Sequence, residues 1–517
     1  MSARHRAAVT ATLAAAALVT PLLVAGPATA GADNPSWAHR GDALARNLVK
    51  ESTATGALRH LKVFQAIADH NGGTRVAGSR GHEQSAAYVE AVLKAAGYEV
   101  SRHEFDFVYT DEIAESLSVV SPTPRDVPIQ LMTYTASGPE GGVTADVAVA
   151  PVDADNTHGC EPTDFAPGAF TGKIALIKRG GCTFAVKQAN AHAAGAAGAV
   201  VYNNTGGTLN GTIGDATLGK IPTGGITQAD GETLAAEAAK GPVKVTLDIR
   251  ELRENRTTFN VVAETRGGDA ANTVFLGAHL DSVTDGPGIN DNGSGSAGIL
   301  QVAQKLAKSQ GKVKNKVKFA WWSAEEFGLV GSEAYVASLT EAQRKQIKLY
   351  LNFDMIASPN AAYFVYDGDD SDGTGAGPGP EGSAQLEQGI NDFLDSQDIP
   401  HEGTDFTGRS DYGPFIEVGI PSGGTFTGAE GIKTEAQAAK FGGQAGVAYD
   451  VNYHAPGDDI DNINMLAFDI NIDVIADAVG HYAYDLEPLT KPVESAPTDG
   501  DSGSGGGLHD GHEHVSE

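Results

Sequence analysis

The sequence predicts an α/β protein: a mixed, largely parallel sheet flanked by helices, with a smaller α/β module inserted into it. Three observations lead there. From Thr258 onward, apolar runs alternate with helical segments: Phe259 to Ala263, Thr273 to Ala278, Ser294 to Ala307, Val317 to Trp322 and Leu349 to Asp354. That alternation is the pattern of a buried, mostly parallel sheet. Between about Val127 and Arg250 the texture changes to short runs of Ala, Gly and Val, which marks a separate unit. The 517 residues are also more than one small core needs, so two or more globular units are expected.

The elements follow in chain order. Residues 1–30 read as an export signal: Arg4 and Arg6 form a basic start, Ala7 to Ala25 is mainly apolar, and Ala28-Thr29-Ala30 is a small-x-small cleavage pattern. Thr20 and Pro21 interrupt the apolar stretch, which is too short for a membrane span. His5 separates the two arginines, so there is no twin-arginine pair and the general secretion route is expected. Residues 31–126 hold helices over Ala57 to Ala68 and Ser85 to Ala96. The first is followed by the breaker Asn71-Gly72-Gly73 and the second is stopped by Gly97; a strand spans Tyr98 to Phe107. Residues 127–250 form the insertion, with strands at Lys173 to Ile177 and Gly198 to Tyr202 around a helix from Phe184 to Ala194. It contains both cysteines, Cys160 and Cys182, which are expected to pair in an exported protein. With so few thiols, any metal must use His, Asp and Glu. Residues 251–487 complete the main domain, and 488–517 form a Gly/Ser/Asp/His-rich tail expected to be disordered, its His509, His512 and His514 solvated.

The formal net charge of −30 repels phosphate backbones and anionic lipid, so nucleic acid and membrane surfaces are poor partners. The expected product is a secreted, extracellular monomer.

Five short segments carry chemistry, each ending a predicted strand or lying in a loop, where open α/β sheets place their sites. Gly277 to Ser282 offers His279 as a ligand, with Asp281 placed to accept the other ring hydrogen. Taken alone, a single histidine is more often structural. Gly288 to Gly295 places Asp291 in a glycine-rich turn, where its two oxygens can bridge two cations; the same stretch also reads as an ordinary Asn/Asp/Gly turn with a helix cap. Glu325 and Glu326 follow a buried strand, which is costly unless chemistry or cations use them, and the competing reading is an acidic first helical turn. Asp354 ends a strand, and Tyr453-His454 supplies a second histidine. His279, Asp291, Glu326, Asp354 and His454 together suit two metals, each with one histidine and one carboxylate, and Asp291 between them. Such a donor set fits zinc.

These stretches resemble the secreted zinc aminopeptidases of Streptomyces type, in the leucyl aminopeptidase and glutamate carboxypeptidase-like metallopeptidase family. The matching segments are His279 to Ser282, Gly288 to Gly295, Ser323 to Glu326, Asn352 to Met355, Gly408 to Asp411, Gly423 to Gly428, Tyr453-His454 and the N-terminal Gly72 to Gly78. The insertion resembles a protease-associated (PA) domain through Gly172 to Gly180 and Cys182 to Phe184. Where some relatives carry a local disulfide near the late histidine, this chain has Asn452 and Gly457. The resemblance implies two zinc ions, one on His279 and Asp354 and the other on Glu326 and His454. It implies Glu325 as general base, Tyr453 as an oxyanion donor, and peptide N-termini as substrate. The free ammonium would be held by Glu325, Asp354 and a backbone carbonyl near Arg409, and Met355 and Phe426 would line a pocket for an apolar, leucine-like side chain. Asp469 and Asp473, one helical turn apart, fall in a region similar to a calcium site in some relatives, and a solvated acidic face is the competing reading. Three alternative functions remain: a carboxypeptidase of the same family, a glutaminyl cyclase, or a non-catalytic secreted binding protein.

Overall fold

The computed structural model describes residues 36–493, except 155, 374 and 376. The expected signal segment and the tail histidines lie outside the described residues. Among the described residues, no helix is long and apolar enough to cross a membrane.

Three helices come first: α1 (Trp37–Glu51), α2 (Ala54–Asp69) and α3 (Arg80–Ala95). Ala86, Val89 and Leu93 of α3 are fully buried, as their spacing predicts. The helix starts at Arg80 rather than Ser85 because Ser79 caps it, accepting from the His82 amide at 3.2 Å. β1 (Glu99–Ser121) is far longer than the expected strand ending at Phe107. The chain then builds the insertion from β2 (Val143–Val149), β3 (Ile174–Lys178), α4 (Phe184–Ala193), β4 (Gly198–Tyr202), β5 (Thr223–Ile226) and α5 (Gln228–Ala238), and returns along β6 (Lys244–Glu264). β1 and β6 pair antiparallel from Glu99 opposite Glu264 to Ser121 opposite Lys244, so the insertion is mounted on a long ribbon. The junction at 250/251 therefore lies inside β6. The ribbon's same-strand ion pairs, such as Arg250 with Asp248 and Arg256 with Glu254, give this stretch a polar texture that hides its strand character.

The main domain continues with β7 (Asp269–His279), α6 (Gly293–Leu306), β8 (Asn315–Trp322), α7 (Val330–Ser338), β9 (Ile347–Phe353), β10 (Phe364–Tyr366), α8 (Ser383–Ser396), β11 (Glu402–Thr404), β12 (Ser422–Phe426) and α9 (Met465–Tyr482). The sheet order is β11-β10-β12-β9-β7-β8-β6-β2-β3-β4-β5. β12, β9, β7 and β8 run parallel, while β10 and β6 join them antiparallel, giving the mixed, largely parallel sheet expected. One core joins α1, α2, α3, α6 and α9 to the sheet through residues such as Leu61, Leu93, Leu276, Ile299, Trp321 and Ile475. A second core, with Phe275, Trp322, Tyr335, Tyr350 and Phe415, closes the other face. Separate clusters fill the insertion, and Cys160 and Cys182 form its disulfide.

Candidate active site

Parallel neighbours end on one edge of the sheet, and that edge collects the chemistry. His279 is the last residue of β7, opposite Trp322 at the end of β8, and Asp354 follows the end of β9. Glu325 and Glu326 lie in the turn after β8, Asp291 in the loop before α6, and His454 in a late loop. The two acids are not in a helical turn, since α7 begins only at Val330.

The sequence-predicted ligands meet in two groups that share Asp291: His279, Asp291 and Asp354, and Asp291, Glu326 and His454. His279 Nε2 lies 3.1 Å from Asp291 Oδ1 and 3.5 Å from Asp354 Oδ1. His454 Nε2 lies 3.2 Å from Asp291 Oδ2 and 3.1 Å from Glu326 Oε2. Asp291 thus turns one oxygen to each histidine. Glu325 Oε2 is 3.7 Å from His279 Nε2, so the base candidate faces the first group.

Buried polar contacts fix the loops. The Asn290 and Asp291 amides donate to the two carboxylate oxygens of Asp458 at 2.8 and 2.9 Å, which sets the bridging residue from below. Asn292 caps α6 by accepting from the Gly295 amide at 3.0 Å, and its side-chain amide donates to the Phe353 carbonyl. A Cβ at Gly295 would fall 2.0 Å from that carbonyl, so the close approach of α6 to β9 requires glycine there. Ser410 donates to Asp354 Oδ2 at 2.6 Å, leaving Oδ1 to face His279. Arg75 is fully buried and donates to the carbonyls of Leu280, Pro287 and Gly288, clamping the segments that carry His279 and Asp291. Arg75 and Ser410 sit within motifs that match the family and Asp458 four residues past one, yet their roles were not legible. Only the fold shows that their partners are the ligand-bearing loops. A charge in the otherwise small and apolar run Val76-Ala77-Gly78 was the one available signal for Arg75.

The site is rich in buried acid. Burial raises Glu325 well above the carboxylate range against the pull of His279, and raises Glu326 against that of His454. Burial also lifts Asp411 to about 8 and Asp458 to about 7. For Asp291, burial pushes upward, but hydrogen bonds to His279 and His454 outweigh it and hold the group low. Burial disfavours charge on His279, yet Glu325 and Asp354 together raise its pKa, and Glu326 does the same for His454. Burial lowers Arg75 to about 10, opposed first by Asp281 and then by Asp458. Glu326 Oε1 and Asp354 Oδ1 are buried without a hydrogen-bond partner. Unpartnered carboxylate oxygens beside two imidazoles in an acid-rich pocket fit a pair of zinc ions.

The other predicted residues are placed as follows. Nδ1 of His279 is 3.3 Å from the Asp281 backbone carbonyl and 3.7 Å from its carboxylate. The Asp281 carboxylate also accepts from the Glu325 amide at 3.4 Å, tying the end of β7 to the acidic turn. Tyr453 stacks on His454 with ring centroids 3.8 Å apart, and its hydroxyl accepts from Arg409 at 3.1 Å. Arg409 is also paired with Glu430 at 2.9 Å. Met355 is buried with φ +47°, and its carbonyl accepts from Thr427. Phe426 stacks on Phe364 in a cluster with Tyr449. Asp469 caps α2 by accepting from the Ala54 amide at 2.7 Å, and burial with Asp469 and Asp477 nearby raises Asp473 to about 7.

The chain is similar to known proteins over most of its length. Residues 260–479 match Peptidase family M28, and residues 143–234 match the PA domain. The chain is 45% identical over 449 residues to leucine aminopeptidase 2 of Trichophyton rubrum, covering 86% of this chain and 87% of that protein. It is 46% identical over 478 residues to leucine aminopeptidase 2 of Arthroderma otae, covering 91% and 92%. Among solved structures, the aminopeptidase from Aneurinibacillus sp. strain AM-1 aligns with a TM-score of 0.67 at 28% identity, covering 85% of this chain and 95% of that one. A zinc aminopeptidase from Bacillus subtilis aligns with a TM-score of 0.59 at 26% identity, covering 83% and 94%.

Proposed function

We propose, for a chain that belongs to peptidase family M28 and carries an inserted PA domain, removal of N-terminal residues from peptides at a two-zinc site with Glu325 as general base. The chain is a metallo-aminopeptidase; the metal count, the roles of individual residues and the leucine-like preference are the finer reading. The observation that carries it is Asp291, whose two oxygens face His279 and His454 at 3.1 and 3.2 Å.

His279 and Asp354 would hold one zinc, Glu326 and His454 the other, with Asp291 between them. Bound there, zinc supplies Lewis acidity to a carbonyl and lowers the pKa of a water toward neutrality. Glu325 takes the proton of the attacking water and returns it to the leaving amine, so its carboxylate ends the cycle as it began. Arg409 already donates to the Tyr453 oxygen, which leaves the tyrosine's own hydrogen free for the developing oxyanion. Glu325, Asp354 and a backbone carbonyl near Arg409 hold the substrate's ammonium, and Met355 and Phe426 favour an apolar side chain.

A carboxypeptidase would need a cation for the substrate carboxylate. Arg75 is spent on three backbone carbonyls and Arg409 on Glu430 and Tyr453. A non-catalytic binding protein would show a broken ligand or base position, and His279, Asp291, Glu325, Glu326, Asp354 and His454 are all present. Export through residues 1–30, the boundaries 31–126 with 251–487 around 127–250, and a monomeric state complete the proposal. The test is hydrolysis of leucine p-nitroanilide beside its N-acetylated form, with and without a zinc chelator. Cleavage of the free-amine substrate alone, lost on chelation and restored by zinc, is the expected result. A zinc-loaded protein that cleaves no free-amine substrate would overturn it.

A further inference from the structure

The turn from Ala324 to Leu329, which carries Glu325 and Glu326, has an unusual backbone. Ala324 (φ +58°) and Leu329 (φ +59°) are both left-handed without being glycine. Side chains take up that conformation only where the surroundings enforce it. Inside the turn, the Glu325 carbonyl accepts from the Gly328 and Leu329 amides at 2.8 and 2.9 Å, and the Glu325 amide reaches Asp281. On its flank, the Phe327 ring packs on Phe107 and Tyr109 of β1, with centroids 5.2 and 5.5 Å apart. The Phe327 carbonyl takes its hydrogen bond from the insertion: the Tyr134 hydroxyl donates to it at 3.0 Å.

Tyr134 is itself held left-handed, at φ +65°. Its amide donates to Glu251 Oε1 at 2.8 Å, and the Glu251 side chain, 1% exposed, is paired with Arg253 at 2.5 Å. Arg253 also donates to the carbonyls of Thr135 and Ala216. The tyrosine is therefore fastened both to the ribbon strand β6 and to the insertion's own loops. A segment that only linked two domains would not need a strained tyrosine, anchored at its amide and aimed at the acidic turn through its hydroxyl.

We propose that Tyr134 is a positioning residue for Glu325, so that the insertion is a working part of the active site and not a detachable accessory. This rests on the reading of Glu325 as the base. Tyr134→Phe removes one hydroxyl and keeps the ring. In zinc-loaded full-length protein, kcat for leucine p-nitroanilide falls about tenfold or more, the scale of a misplaced catalytic group, while KM and bound zinc stay at wild-type values. Thr144→Ala, which removes an insertion hydroxyl bonded to Thr246 at 2.8 Å and not to the turn, leaves kcat unchanged. An unchanged kcat in Tyr134→Phe, or a loss that follows lost zinc, overturns the proposal. The two readings fail separately: Glu325→Gln with wild-type kcat removes the base assignment and this proposal with it, whereas a neutral Tyr134→Phe beside an inactive Glu325→Gln removes this proposal alone.

Discussion

The two halves of the proposed metal site differ in exposure more than in chemistry. His279 is 1% exposed and Asp354 11%, whereas His454 is 40% exposed beside Glu326 at 4%. One half is built from strand ends in the sheet, locked by Ser410 and Arg75. The other hangs its histidine on a late loop, where His454 is left-handed at φ +54°. The same donor types thus make a deep, rigid position and an open one, with Asp291 common to both.

The largest effect expected lies on the buried half. Glu325→Gln lowers kcat roughly 10²–10⁴-fold, the usual worth of a general base, while the protein still binds zinc as wild type does. Steady-state kinetics with metal analysis checks both. A variant that loses zinc in step with activity would make Glu325 a ligand and break the division of roles.

Arg75→Lys keeps the charge but cannot reach three carbonyls, and zinc affinity is expected to fall about 10–100-fold, as for other residues that orient ligands. The readout is the rise in melting temperature on adding zinc to stripped protein. A positioning role shrinks that rise; a purely structural role lowers both melting temperatures equally.

Chelation should remove zinc in two resolved phases, the faster from the His454 side. His454→Ala then abolishes the fast phase and leaves the slow one. A single phase in wild type would show that exposure does not divide the two halves.

The smallest effect lies outside both. The folded pKa of Asp473, raised to about 7 by burial and by Asp469 and Asp477, means that the unfolded chain gives up this proton at lower pH. Stability is therefore lost as pH rises from about 4 to about 7. Asp473→Asn should raise the melting temperature by about 2–4 °C at pH 8 and leave it unchanged at pH 4, a modest shift because the group is partly exposed. Calcium that relieved the same repulsion would give wild type a comparable gain at pH 8.

Much of this was legible in the sequence because parallel strands place their ends together. The runs ending at Ala278, Trp322 and Asp354 could be read singly, and an α/β sheet puts three such ends on one edge. The ribbon of β1 and β6 was read short, since its outer residues pair through charges such as Arg256 with Glu254 and carry little apolar signal. The support from Arg75 was invisible for another reason. Its partners are backbone carbonyls 205 to 213 positions away, and a carbonyl has no residue type to read. The same holds for the Phe327 carbonyl that Tyr134 reaches, and for the Glu325 amide that the Asp281 carboxylate meets while it also lies 3.7 Å from the His279 ring.

The most direct measurement is anomalous diffraction at the zinc edge from crystals of the zinc-loaded protein. Two peaks about 3.5–4 Å apart are expected on either side of the Asp291 carboxylate, one at His279 and one at His454. A single peak, or two peaks that do not share Asp291, would contradict the bridged two-zinc site.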